Sequence, residues 1–104
     1  RKKIALNMKT FDEIKKELSK HKKEIADQFG VKEIGIFGSF VRGEQGADSD
    51  LDILVEFEKP IGFVKFLKLE NKLSELFGVK VELVTKKALK PYIGKRILQE
   101  VRYV

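Results

Sequence analysis

Asp50 and Asp52, separated only by Leu51, are the residues whose types and spacing point most directly to chemistry. In an extended segment residues i and i+2 project from one face, which sets the two carboxylates about 6–7 Å apart at Cα. Carboxylates that close repel one another and raise a pKa. A hard divalent cation removes the conflict, and Mg²⁺ is commonly held by one or two carboxylates together with substrate phosphates. A solvated strand entrance carries the same short pattern, so other residues must decide. Gly38-Ser39 stands ten residues before Asp50, positions 40–49 lying between. A glycine at a strand end, then a hydroxyl residue and a short helical turn, exposes backbone N–H groups that can receive phosphate oxygens. An ordinary strand-to-helix turn has the same composition. The Gly-Lys-Ser/Thr ending of a Walker loop is missing, which excludes a P-loop NTPase. Glu82 is the third element, on the polar side of an alternating segment. It is either a solvent-facing strand residue or, should its strand adjoin that of Asp52, a third carboxylate in one cluster. Two metal ions about 3.5–4 Å apart then become feasible.

These residues need a scaffold, and the hydrophobic pattern supplies one. Thr10-Phe11-Asp12-Glu13 has the form of a capping box, Thr10 as N-cap and Glu13 three residues on. Phe11, Ile14, Leu18, Ile25 and Phe29 then predict a helix stopped at Gly30. Val31 to Phe37 predicts a strand, and Phe40 to Glu44 a short helix or turn. Gln45 to Ser49 is a polar loop, and Leu51 to Phe57 a second strand whose Ile53-Leu54-Val55 run predicts burial on both faces. Phe63 to Phe77 predicts an amphipathic helix. Val79 to Val84 alternates as a third strand, with Val79, Val81 and Leu83 on one face and Lys80 and Glu82 on the other. Thr85 is the expected cap of the next helix, and Pro91 suits the first turn of a last helix with Ile93, Ile97 and Val101 inward. The order α-β-α-β-α-β-α predicts one α/β (α+β) domain, a small mixed β-sheet flanked by helices. Residues 10–104 form this domain, and residues 1–9, which hold the sole methionine Met8, are read as an N-terminal extension or remnant without function.

Composition narrows the chemistry further. The 104 residues contain no cysteine, which excludes disulfide frameworks, thiol nucleophiles and cysteine-based zinc or iron–sulfur centres. The single histidine, His21, sits among Lys20, Lys22 and Lys23 and is expected to be a solvated side chain. No run approaches the ~18 apolar residues of a membrane span. With no apolar leader at Arg1-Lys2-Lys3, a cytoplasmic location is the expectation. The net charge of +6 is unevenly spread. Residues 1–32 carry ten Lys or Arg against five acids, residues 33–58 one, Arg42, against seven, and residues 59–104 eleven against four. An acidic centre between basic flanks suits a metal site that receives a polyanion. Lysine-rich flanks also fit nucleic-acid affinity or a heat-adapted surface, but neither accounts for the clustered acids.

Taken together, Gly-Ser, the ten-residue interval, Asp-x-Asp and a later strand acid resemble the signature of the DNA polymerase β-like nucleotidyltransferase superfamily. The segments Gly38-Ser39-Phe40-Val41-Arg42-Gly43, Asp48-Ser49-Asp50-Leu51-Asp52, Val81-Glu82-Leu83-Val84-Thr85 and Arg96-Ile97-Leu98 to Tyr103 resemble its minimal, MntA-like branch. The resemblance implies the polymerase β-like fold, with Gly38 and Ser39 holding the triphosphate of ATP and Asp50, Asp52 and Glu82 binding Mg²⁺ as two ions. Relatives commonly carry aspartate where Glu82 stands. Arg42 is placed near the nucleotide, supporting the Gly38–Ser39 loop or the phosphates, while an ion pair with Glu44 or Asp48 is the competing reading. The implied reaction is an in-line attack on the α-phosphate with loss of pyrophosphate, Glu82 or a metal-bound hydroxide helping to deprotonate the acceptor. Many members of the branch are antitoxins that transfer AMP from ATP onto a tyrosine of a HEPN-domain toxin, so the resemblance implies such a toxin as partner. A stable nucleic-acid partner is not implied. The alternative is a catalytically idle module of the same fold that neutralises its partner by binding alone.

Overall fold

Thr10 opens the first helix with the expected reciprocal cap: its hydroxyl accepts from the Glu13 N–H at 3.2 Å, and the Glu13 carboxylate accepts from the Thr10 N–H at 2.9 Å. Two of the orphan donors of a helix start are thereby satisfied. Helix α1 runs Phe11–Phe29 and buries Ile14, Leu18, Ile25 and Phe29, one side of a 3.6-residue period. The computed structural model describes residues 10–46, 49–89 and 91–104, the side chains of 91–93 excepted. The extension expected at 1–9, an Arg42–Asp48 ion pair and the inward placement of Ile93 fall outside the described residues.

After α1 come β1 (Val31–Phe37), the one-turn helix α2 (Ser39–Arg42), β2 (Leu51–Phe57), α3 (Phe63–Phe77), β3 (Val81–Thr85), a 3₁₀ turn (Lys86–Ala88), α4 (Pro91–Glu100) and β4 (Arg102–Tyr103). Among the described residues the sheet has the order β3-β2-β1-β4. β2 is antiparallel to β1 and parallel to β3, and β1 is antiparallel to β4, which makes the sheet mixed as the pattern predicted. One face packs under α1 and α3, where Leu51, Ile53 and Val55 of β2 meet Ile14 and Leu18 of α1 and Leu69, Leu73 and Phe77 of α3. Each such side chain contributes about 1.5–3 kcal/mol by leaving water. The other face is covered more thinly: Phe37 and Leu54 pack with Val84, Leu89, Ile97 and Val101. β2 is therefore buried on both faces, as its unbroken apolar run required.

Three details differ from the sequence reading. β3 starts at Val81 rather than Val79, because Lys80 serves as the joint: its carbonyl accepts from the Leu51 N–H at 2.8 Å. The Thr85 hydroxyl makes no capping hydrogen bond, and a 3₁₀ turn separates it from α4. β4 was not foreseen, since two residues carry no period. It exists because of Gly35. A Cβ there would lie 2.7 Å from Val101 Cγ2 and 3.1 Å from the Arg102 carbonyl oxygen, so only a bare Cα lets the C-terminal segment lie on β1. Gly35 then pairs with Tyr103, and the Val104 N–H donates to the Ile34 carbonyl at 3.0 Å. Among the described residues no helix is long and apolar enough to cross a membrane.

Candidate active site

The strand period decides which side chains of β2 face which way. Leu51, Ile53 and Val55 fill the large core, so Asp52 must share the opposite, thinly covered face with Leu54. On β3 the same logic sends Val81 and Leu83 inward and Glu82 outward, where it is exposed. The parallel register places Asp52 directly opposite Glu82, and neighbouring strands lie about 4.7–4.9 Å apart. Asp50, half-buried, sits two residues upstream of Asp52 at the strand entrance.

Gly38 closes this corner from the side of β1. Phe37 is the register partner of Asp52, and the chain leaves the strand at the next residue. Gly38 has φ 82° and ψ −153°, a region essentially closed to residues with a Cβ. A Cβ at Gly38 would moreover overlap the Asp52 carboxylate at Oδ2 and stand 3.0 Å from Cγ. Glycine is required here by two independent constraints, backbone conformation and the approach of a carboxylate. The glycine-serine turn and the Asp-x-Asp motif thus meet in space.

Electrostatics mark Asp52 as the crowded member. Burial pushes its carboxyl up to about 6 from an ordinary 3.8, the charges of Glu82 and then Asp50 push the same way, and Arg42 only partly offsets them. Arg42 is itself engaged twice: Nε donates to Glu44 Oε1 at 2.8 Å and Nη1 to Glu100 Oε1 at 2.6 Å. Of the two readings, the ion pair with Glu44 is present, and the guanidinium also pairs with Glu100. The other oxygen of Glu100 accepts from the Gly38 N–H at 2.8 Å, so that donor is turned toward α4. Burial acts against the Glu100 charge, but Arg42 and the Gly38 N–H outweigh it and hold the carboxyl below its ordinary range. His21 is remote from all of this, between Glu17 and Glu24 on α1.

A family model described as the nucleotidyltransferase domain matches residues 18–104. The chain belongs to the nucleotidyltransferase family. It is similar to the protein adenylyltransferase MntA of Thermococcus cleftensis, 53% identical over 97 residues that cover 93% of this chain and 98% of the relative. A solved minimal nucleotidyltransferase superposes with a TM-score of 0.71 at 30% identity, covering 86% of this chain and 93% of its own. The same fold occurs in a solved complex of a tri-AMPylated Shewanella oneidensis HEPN toxin with an MNT antitoxin, at a TM-score of 0.66 and 19% identity, over 86% of this chain and 70% of that one. This is the minimal, MntA-like nucleotidyltransferase fold, and the protein is an enzyme of that family.

The chemistry of the donor set fits the divalent cation that nucleotidyl transfer calls for. Among the described residues no group of three acids closes into a ready-made cage. Mg²⁺ needs none, because it keeps water and substrate oxygens in its shell and takes one or two carboxylates from protein. Asp50 and Asp52 would supply that number, with Glu82 alongside, and a cation there would offset the burial and like charge that push the Asp52 carboxyl up. Sequence reasoning missed Glu100. The available signal was a carboxylate three residues after the inward-facing Ile97 and next to the inward-facing Val101.

Proposed function

We propose that this nucleotidyltransferase transfers AMP from ATP to a side chain of a partner protein, and that the partner is a HEPN-type toxin modified on tyrosine, for which the chain acts as antitoxin. The observation that carries the reading is the convergence of Gly38, at the head of the glycine-serine turn, on the Asp52 carboxylate, with Glu82 opposite and Asp50 beside it. The relative named MntA, a protein adenylyltransferase, and the AMPylated toxin bound to a related antitoxin support the acceptor class.

In this reading Asp50, Asp52 and Glu82 hold the metal, and Mg²⁺ when bound supplies neutralising charge for the triphosphate. The Gly38–Ser39 turn receives phosphate oxygens through the backbone N–H groups of Ser39 and Phe40 and the Ser39 hydroxyl, while Arg42 keeps the turn in place. The acceptor oxygen attacks the α-phosphorus in line, the bond to the β-phosphate breaks, and pyrophosphate leaves. Glu82, exposed at the edge of the cluster, takes the acceptor proton. Most of the acceleration comes from positioning and from charge complementarity to the transition state.

The test is to incubate the protein with ATP, Mg²⁺ and the product of the neighbouring reading frame, and to weigh that product. Mass gains of one or more adenylate units are expected with the wild type and none with Asp52→Asn, which should still bind the partner. Should Asp52→Asn protect cells as well as the wild type does, neutralisation is by masking and the enzymatic reading is lost.

A further inference from the structure

We propose that Glu100 is a positioning residue of the nucleotide site, which fixes both ends of the one-turn helix that follows Gly38. The proposal rests on the nucleotidyl-transfer function proposed for this site and adds a residue to it. Helix α2 has four residues, too few to hold its own shape in water. Its N-cap, Gly38, adopts a backbone conformation that no intrinsic preference secures, and its last residue is Arg42. One carboxylate from the end of α4 reaches both: Oε2 accepts from the Gly38 N–H at 2.8 Å, and Oε1 from Arg42 Nη1 at 2.6 Å. The Cα of Gly38 meanwhile rests on the Asp52 carboxylate. The turn is gripped from two sides, by Asp52 of β2 and by Glu100 from the C-terminal segment.

An incidental surface ion pair would not look like this. Arg42 already has a local partner in Glu44, and a solvated arginine needs no second carboxylate from 58 residues away. Glu100 is only about a quarter exposed, with a side-chain exposure of 25%. It commits each oxygen to a different donor. An acid with both oxygens spent on the turn serves the geometry of the turn. The packing that delivers it is equally specific, because Val101 is seated over the bare Cα of Gly35 one residue later.

Calorimetric titration of the intact protein with MgATP tests this, in parallel with amide NMR of Gly38. Glu100→Ala is expected to weaken MgATP binding about tenfold, the equivalent of one charge-assisted hydrogen bond. Its Gly38 amide should move upfield and exchange faster, with circular dichroism unchanged. Glu100→Gln keeps the shape and one of the two acceptors, and should fall between Glu100→Ala and the wild type, about three- to fivefold weaker than the wild type. Glu44→Gln removes only the local partner of Arg42 and should stay within about twofold of the wild type. If the Ala variant is unfolded, the Gln variant decides, since loss of affinity beyond that of Glu44→Gln is still required of it. Equal or tighter MgATP binding in the folded Glu100 variants overturns the proposal, because it would make Glu100 a bystander or a competitor of phosphate. Failure of the wild type to bind MgATP strikes the functional reading itself.

Discussion

Replacing Asp52 by Asn should make the metal-free protein more stable at neutral pH, although it removes the residue placed at the centre of the site. Burial and the charges of Glu82 and Asp50 raise the Asp52 carboxyl from 3.8 to about 6. The folded chain therefore prefers the protonated form. The stability contributed by that preference is fully present below pH 3.8 and is lost as the pH rises through about 6. At pH 7.5 the wild type carries the whole penalty, and Asn, uncharged and of the same shape, carries none. A gap of about two pKa units sets an upper bound near 3 kcal/mol. Solvent screening of a half-buried carboxylate reduces this to about 1–2 kcal/mol. For a domain of this size that raises Tm by roughly 4–10 °C. The assay is a thermal melt of both proteins in EDTA at pH 7.5 and again at pH 3.5, where the difference should nearly close. Mg²⁺ should then raise the Tm of the wild type more than that of the variant. Equal stability at pH 7.5 in EDTA, or a gap that does not narrow on acidification, would refute the crowded-carboxylate reasoning.

Glu82→Gln should lower the Asp52 carboxyl toward its ordinary range, since Glu82 is the largest charge acting on it after burial. Carbon-detected NMR titration of Asp52 reads this, and an unchanged midpoint would separate the two side chains. Gly38→Ala meets both a forbidden backbone region and the Asp52 carboxylate, and should cost about 2–4 kcal/mol in urea unfolding; a loss under about 0.5 kcal/mol would contradict the contact. Ser39→Ala should weaken MgATP binding by only about 1 kcal/mol, one neutral hydrogen bond, and a complete loss of binding would mean that the hydroxyl does more than this.

Much of the architecture was legible because local pattern and global packing agree. The capping box at Thr10 and Glu13, the stripe Ile14, Leu18, Ile25 and Phe29, and the bounds of β1, β2 and α3 follow from periodicity and punctuation that survive folding unchanged. The unbroken Ile53-Leu54-Val55 run indicated a strand buried on both faces, and the side-chain period of two sets Asp52 on the face opposite Leu51, Ile53 and Val55. What sequence could not decide was adjacency. Whether Glu82 was a solvent-facing residue or a neighbour of Asp52 depended on a parallel pairing between strands joined by a helix of fifteen residues, which no local rule fixes. The end of the chain was harder still. β4 has two residues and no period, and it forms only because Gly35 admits Val101 against β1. That non-local packing brings Glu100 onto Gly38 and Arg42. The residue types and spacing determined the acids and the turn that could meet a nucleotide. Long-range pairing of backbone and core decided that they meet, and which distant carboxylate holds them together.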